Sequence, residues 1–355
     1  MNNPPSRREE RKLEHIKYSL EMMDGPVTSG FEDVELVHQA LPELDLEGVE
    51  IGAQFLGKEL RLPLVINALT GGTEKTTEIN RSLARVARET GVGMAVGSQA
   101  AALENRGVEE SFRVAREENP HGLLLANVGA STPWQSASRA VEMIEADGLQ
   151  LHLNVPQELA MAEGDRSFRS ILANIATIVQ RVPVPVVVKE VGFGISREAI
   201  IGLFAAGVRY VDVGGQGGTN FVAIERARWP EEPGGPPSHW GIPTAVSLLE
   251  AAGTGLPLQL IASGGIRSPL DTAKAIALGA HLVGVAGPML RVLITQSETV
   301  LTELIKRWQS ELQTIMLMAG AGRVVDLARL PVVITGKTRE WLSQRGIDTA
   351  KYARR

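Results

Sequence analysis

The sequence predicts an α/β fold, a parallel (β/α)8 TIM barrel with an N-terminal extension and a C-terminal helical tail. Three observations carry this prediction. From Pro63 onward, short apolar runs alternate with longer segments of helical period, the pattern of a parallel sheet joined by crossover helices. The runs number eight, and eight such units close a barrel. Polar residues collect at nearly every predicted C-terminal strand end, which a closed barrel explains better than an open doubly wound sheet does.

Residues 1–20 are highly charged. Arg7, Arg8, Glu9, Glu10, Arg11 and Lys12 precede Leu13, His15, Ile16 and Tyr18, and charge alone reads this as a solvated tail leading into a short helix. Residues 24–62 hold scattered glycines and prolines with apolar runs at 34–37 and 49–55, an irregular lead-in with a hairpin. The eight strands are expected at 63–68, 93–97, 123–128, 149–154, 186–191, 210–213, 258–262 and 282–286. Helices are expected between them, at 74–89, 134–146, 168–180, 197–206, 243–252 and 269–278. The connection from Gly214 to Pro243 is rich in glycine and proline, and a stretch of that length is usually a lid, a binding loop or disordered. Residues 288–319 read as one long helix or two shorter ones. The expected division is an extension at 1–62, the barrel at 63–320 and a tail packed on it at 321–355.

Composition narrows the function. The formal net charge is −5 and aromatics make up 4% of the chain, so no basic stripe with interleaved aromatics suggests a nucleic-acid binder. The absence of cysteine removes disulfides, thiolate nucleophiles and iron–sulfur clusters together. No run approaches a membrane span, and a cytoplasmic location is the expectation.

The chemistry is expected where the fourth strand ends. Leu149, Leu151 and Leu153 alternate with Gln150, His152 and Asn154, so the polar set faces the lumen. Pro156 stops the pairing, and Gln157 and Glu158 follow on the loop. The same rim gathers Asn67, Thr70, Gly71, Gly72, Ser98, Gln99, Asn127, Lys189, Glu190, residues 214–219, Ser263, Gly264, Gly265, Arg267, Ala286 and Gly287. Glycines at the ends of strands seven and eight let backbone and helix N-termini approach a phosphate. Lys189, in the apolar run Val186-Val187-Val188-Lys189, either faces a ligand or pairs with Glu190 or Asp212.

These residues carry a resemblance. Arg11-Lys12-Leu13-Glu14-His15, Ala68-Leu69-Thr70-Gly71-Gly72, Val96-Gly97-Ser98-Gln99, His152-Leu153-Asn154-Val155-Pro156-Gln157-Glu158, Val188 through Gly194, Gly217-Gly218-Thr219-Asn220, Trp240-Gly241-Ile242-Pro243 and Ser263-Gly264-Gly265-Ile266-Arg267 occur in one order along most of the chain. In this the chain resembles the type 2, FMN-dependent isopentenyl-diphosphate isomerases. The resemblance implies an FMN held by Leu69, Thr70, Gly71, Ser98, Asn127, Lys189, Thr219, Gly265, Ile266, Arg267, Ala286 and Gly287. It implies an isoprenyl diphosphate held by Arg11, Lys12, His15, Ser98, Asn154 and Gln157, with Mg²⁺ on Glu158 and NADPH serving to reduce the flavin. Gln157 and His152 become the catalytic candidates. The charged N-terminus thereby gains a role that charge patterning alone did not give it. Two positions depart from the family: Leu69 stands where methionine is usual, and Ala100 where many members carry a base, for which Arg106 is a possible substitute.

Moving the double bond of isopentenyl diphosphate means protonating an unactivated alkene, for which histidine is too weak an acid and glutamine does not titrate. The expected acid/base group is therefore reduced FMN near its N5, without net redox, with Lys189 supporting the anionic reduced ring and Gln157 positioning or relaying the proton. An FMN oxidoreductase of the 2-hydroxy-acid oxidase type is the alternative, although its His-Gly-x-Arg stretch is missing here. A flavin- or phosphate-binding protein without catalysis is a third. The resemblance also implies a homo-oligomer, a tetramer or larger.

Overall fold

Alternation along each strand decides what the barrel holds. In the computed structural model, which describes residues 7–22, 24–229 and 235–355, eight parallel strands close on themselves. They are β1 (Leu64–Ile66), β2 (Gly93–Ala95), β3 (Leu124–Gly129), β4 (Gly148–Leu153), β5 (Val186–Glu190), β6 (Tyr210–Asp212), β7 (Gln259–Ser263) and β8 (Leu282–Val285). Each pairs with the next, and β8 returns to β1 through Val283 opposite Leu64. Every strand lies inside or within two residues of its expected range, because each is an apolar run that helices cover on its outer face.

Two layers fill the lumen. Val65, Ala95, Leu125, Val187, Ile261 and Leu282 form an apolar lower layer. Below it sits the hairpin of Ala53–Phe55 and Lys58–Leu60, whose Phe55 is buried edge-on against Tyr210 with ring centroids 5.6 Å apart. Burying that side chain contributes about 2–3 kcal/mol and closes the floor. Two residues further along each strand, Asn67, Asn127, Lys189, Asp212 and Ser263 form the polar upper layer, all buried. The outward residues, among them Leu64, Ile66, Leu149, Leu151 and Val188, join the helices in the main core.

The expected helices appear at Glu74–Thr90, Trp134–Met143, Ile171–Arg181, Arg197–Ala205, Thr244–Ala252 and Pro269–Ala277. Glu74–Thr90 starts with a reciprocal capping box of Thr73 and Thr76. After β8 there are two helices, Gly287–Thr295 and Glu298–Ala319. Several elements differ from expectation. The connection after β6 contains the helix Phe221–Arg228, capped by Asn220, whose side chain accepts from the Ala223 N–H. Helices Ala100–Glu104 and Glu110–Glu118 add to the connection after β2. Gln157 and Glu158 lie not on a loop but in the helix Val155–Ala160, for Pro156 in the first turn needs no N–H and favours a helix start. The tail is not wholly helical: Val332–Ile334 pairs antiparallel with Val34–Leu36 of the lead-in.

Candidate active site

The upper lumen opens into a cavity of about 630 Å³ at the C-terminal strand ends. The helix Arg7–Glu21 lies over one side of it and lines it with Arg11, Lys12, His15, Ile16 and Ser19, so this part of the expected solvated tail is lining, while residues 1–6 lie outside the described residues. Lys12 donates to the carbonyls of Gly71 and Ser98, the latter at 2.8 Å, and its ammonium lies 5.1 Å from the Phe112 ring centroid. Arg11 reaches Met161 Sδ at 3.4 Å and Glu163 at 3.7 Å. His15 Nε2 is 2.7 Å from the Glu225 carboxylate.

Of the expected site residues, Arg11, Lys12, His15, Leu69, Thr70, Ser98, Asn127, His152, Asn154, Gln157, Glu158, Lys189, Thr219, Gly265, Arg267, Ala286 and Gly287 all line this cavity. Gly71 and Ile266 do not. Gly71 serves Lys12 through its carbonyl, while Ile266 is buried in the core. Gln99 and Glu190, which the sequence placed on the rim, do not line the cavity: Glu190 points outward by strand parity, while Gln99 lies past the end of β2, at the N-terminus of the helix Ala100–Glu104. Gln99 donates to Ala140 O at 2.9 Å and accepts from Asn127 N, while Glu190 accepts from Gly192 N and Phe193 N at 2.8 and 2.6 Å. Arg106 is exposed in a turn outside the cavity, so it does not stand in for the base that Ala100 replaces.

Lys189 both pairs and faces the cavity. Its ammonium lies 3.1 Å from Asp212 Oδ2 and donates to Ser263 Oγ at 3.1 Å and to Glu190 O at 3.0 Å. His152 is held by Asn127, Nδ1 to Oδ1 at 2.8 Å. Burial, followed by the charges of Lys189, Lys12 and Arg11, pulls its pKa down to about 4, so the ring is neutral near pH 7. Glu190 is pushed up to about 8 by burial, against the pull of its backbone donors and Lys189.

Glu225 is the residue that sequence reasoning missed. Its buried carboxylate accepts from Gln157 Nε2 at 3.3 Å, meets His15 and pairs with Arg228. Burial raises its pKa, but His15 and Arg228 outweigh that and leave it below the ordinary carboxylate range. Asn220 followed by Phe221-Val222-Ala223-Ile224 was the available signal, an N-cap before an apolar turn.

The lining suits a phosphorylated planar cofactor. Thr70 Oγ1 is buried without a hydrogen-bond partner among the described residues. Gly264 and Gly265 have φ of 98° and 76°, and a Cβ on either would lie 2.0 and 2.8 Å from the carbonyls of Gly215 and Gly217. No side chain fits there, so the backbone stays open to a ligand. The helix Gly287–Thr295 begins beside it at Ala286 with no side-chain cap, leaving N-terminal N–H groups for an anion. Among the described residues no three His, Asp or Glu side chains form a metal cage. Glu158 offers a single carboxylate at the rim, accepting from Asn154 Nδ2 and Asp165 N at 2.8 Å each. One carboxylate plus substrate phosphates and water is a set that Mg²⁺ accepts.

The family model for FMN-dependent dehydrogenases matches residues 133–333. The isopentenyl-diphosphate delta-isomerase of Moorella thermoacetica is 53% identical over 335 residues, covering 94% of this chain and 96% of that one. That of Symbiobacterium thermophilum is 48% identical over 358 residues, covering 98% of each. The chain belongs to the isopentenyl-diphosphate delta-isomerase family. The isomerase also shares its fold with a mandelate oxidase variant solved with (S)-mandelic acid, at a TM-score of 0.66 and 20% identity over 92% of this chain and 97% of that one. A mandelate oxidase solved with a monooxide FMN adduct gives 0.64 at 20% identity, covering 91% and 92%. At such identities the likeness concerns the barrel alone.

Proposed function

We propose that this isomerase interconverts isopentenyl and dimethylallyl diphosphate with FMN in its reduced form and Mg²⁺ bound. When bound, reduced FMN supplies a proton-transfer group and an electron-rich ring beside the developing cation, with no net redox. The observation that carries this reading is one cavity joining a glycine cradle for a phosphate to the Arg11, Lys12 and His15 face of the first helix, with only weak acids between. Neutral His152 and the amide of Gln157 cannot by themselves protonate an alkene.

The protein's own residues then bind and orient. Arg11 and Lys12 meet the diphosphate from the N-terminal helix, with His15, Ser98 and Asn154 completing its site. Glu158 holds Mg²⁺ against it and neutralises charge. Gln157, pinned through Nε2 to Glu225, turns its carbonyl oxygen away from that carboxylate and positions the reacting carbon. Thr70, Asn127, Lys189, Thr219, Gly265, Arg267, Ala286 and Gly287 hold the flavin, and the closed floor admits no bulk water from below. NADPH serves to reduce the flavin beforehand. A cytoplasmic homo-oligomer of four or more subunits belongs to the same proposal, and sedimentation would test the assembly. Oxidation of a 2-hydroxy acid has the shared barrel and the dehydrogenase family model in its favour, against relatives named isomerases that match at about half identity over nearly the whole chain.

The test is anaerobic incubation of the FMN-loaded enzyme with isopentenyl diphosphate, Mg²⁺ and a small amount of NADPH. Dimethylallyl diphosphate in many-fold excess over NADPH consumed is the expected result. Absence of product, or NADPH consumed mole for mole, overturns the reading.

A further inference from the structure

A single direction runs through the buried amides of the upper lumen, and it starts at Asp212. Four donors converge on this carboxylate: Asn67 Nδ2 at 2.7 Å, Ser263 Oγ at 2.5 Å, Gly214 N at 3.2 Å and the Lys189 ammonium at 3.1 Å. Both Asp212 oxygens therefore accept. Asn67 must present its NH₂ to Asp212, which turns its Oδ1 toward Gln150; that oxygen accepts from Gln150 Nε2 at 3.0 Å and from Ala68 N at 2.9 Å. Gln150 is thereby fixed with Oε1 toward Asn127, whose Nδ2 donates to it at 2.9 Å. Asn127 has only Oδ1 left for His152 Nδ1, 2.8 Å away. An acceptor there demands a donor on the ring.

We propose that Asp212 is a positioning residue that fixes His152 as the Nδ1–H tautomer through Asn67, Gln150 and Asn127. His152 Nε2 consequently faces the cavity as a lone pair, and it has no hydrogen-bond partner among the described residues. It accepts a hydrogen bond from whatever binds beside it and donates none, so it is not a ligand for diphosphate oxygens. Four of the five links are buried to 2% exposure or less, so reversing any one would leave a polar group unsatisfied at about 1–3 kcal/mol. Gly284 leaves room for the first link, since a Cβ on it would lie 2.5 Å from Asn67 Nδ2.

The tautomer stands on these hydrogen bonds alone, and its use in isomerisation rests on the function proposed above. The chain holds six histidines, so ¹⁵N-histidine labelling of the FMN-loaded protein gives six ring patterns, and His152→Gln assigns the one that matters. The expected wild-type spectrum near pH 7 shows His152 protonated on Nδ1 and bare on Nε2. Asn67→Leu cuts the chain while leaving Asp212 and Lys189 in place, and Asp212→Asn removes the acceptor-only anchor, leaving the Ala68 N–H alone to orient Asn67; each is expected to admit the second tautomer, Asn67→Leu the more fully. A wild-type ring protonated on Nε2 overturns the proposal even if neither variant folds, and so does an unchanged tautomer in a folded variant. The altered tautomer in folded Asn67→Leu without any loss of kcat would leave Asp212 directing the ring but overturn its role in turnover. Wild-type protein that fails to isomerise contradicts the proposed function and leaves the NMR result to decide the tautomer.

Discussion

At the scale of single residues, His152 and Gly265 make contrary demands on their surroundings. His152 folds into a site that holds it at about 4, whereas in the unfolded chain it titrates at about 6.5. The folded state binds fewer protons between those values, so its contribution is complete above pH 6.5 and lost as pH falls toward 4. Urea unfolding should therefore show the wild type losing stability over that window by about 2–3 kcal/mol more than His152→Gln does. Gly265 is a backbone demand. Gly265→Ala is expected to weaken FMN binding at least tenfold, read by flavin fluorescence, since a methyl group would meet Ser29 and Gly217 at 2.7 and 2.8 Å. Strand parity made much of this legible, for the apolar partners of Asn127, His152 and Lys189 state which face is outward. Parity was not applied to Glu190, which was placed on the wrong side, and parity could not place Gln99, which lies past the end of its strand at a helix start. Glu225 escaped because its partner Gln157 is 68 positions away and no local pattern joins them.

At the scale of elements, what could be read followed from what is local. The barrel strands are apolar and their helices long enough to show a period, so both emerge from the chain alone. The helices of five to eight residues at Ala100–Glu104, Val155–Ala160 and Phe221–Arg228 are too short for that. Proline and glycine around them signalled breaks more strongly than the turns signalled helix. The strand Val332–Ile334 was unreadable for another reason: its partner Val34–Leu36 lies about 300 positions earlier. Ile334 is buried against Val34. Ile334→Ala is expected to cost about 2–4 kcal/mol in denaturant unfolding, with kcat of the folded enzyme unchanged because the pair lies outside the cavity.

At the scale of the whole molecule, one lumen is apolar below and polar above, and the binding cavity is continuous with its upper half. That arrangement ties cofactor to stability. A flavin that binds only the closed barrel adds RT ln(1 + [L]/Kd), about 2.7 kcal/mol at a hundredfold excess over Kd. Calorimetry should show the melting temperature rising with FMN concentration, and a Tm that ignores FMN would contradict a site built by loops from across the barrel. The closed parallel sheet was legible from eight repeats of one pattern. The place of the first helix at its mouth was legible only through the family resemblance at Arg11, Lys12 and His15, because charge alone describes a solvated segment equally well.

The seam between Val34–Leu36 and Val332–Ile334 has a consequence for synthesis. A ribosome releases the lead-in strand early, yet its partner emerges only after the whole barrel has been made. Until then a row of backbone donors and acceptors stands open beside Phe31 and Val34, a surface suited to a chaperone. Nascent chains stalled before residue 332 should stay bound to such helpers, and full-length chains released from the ribosome should let go.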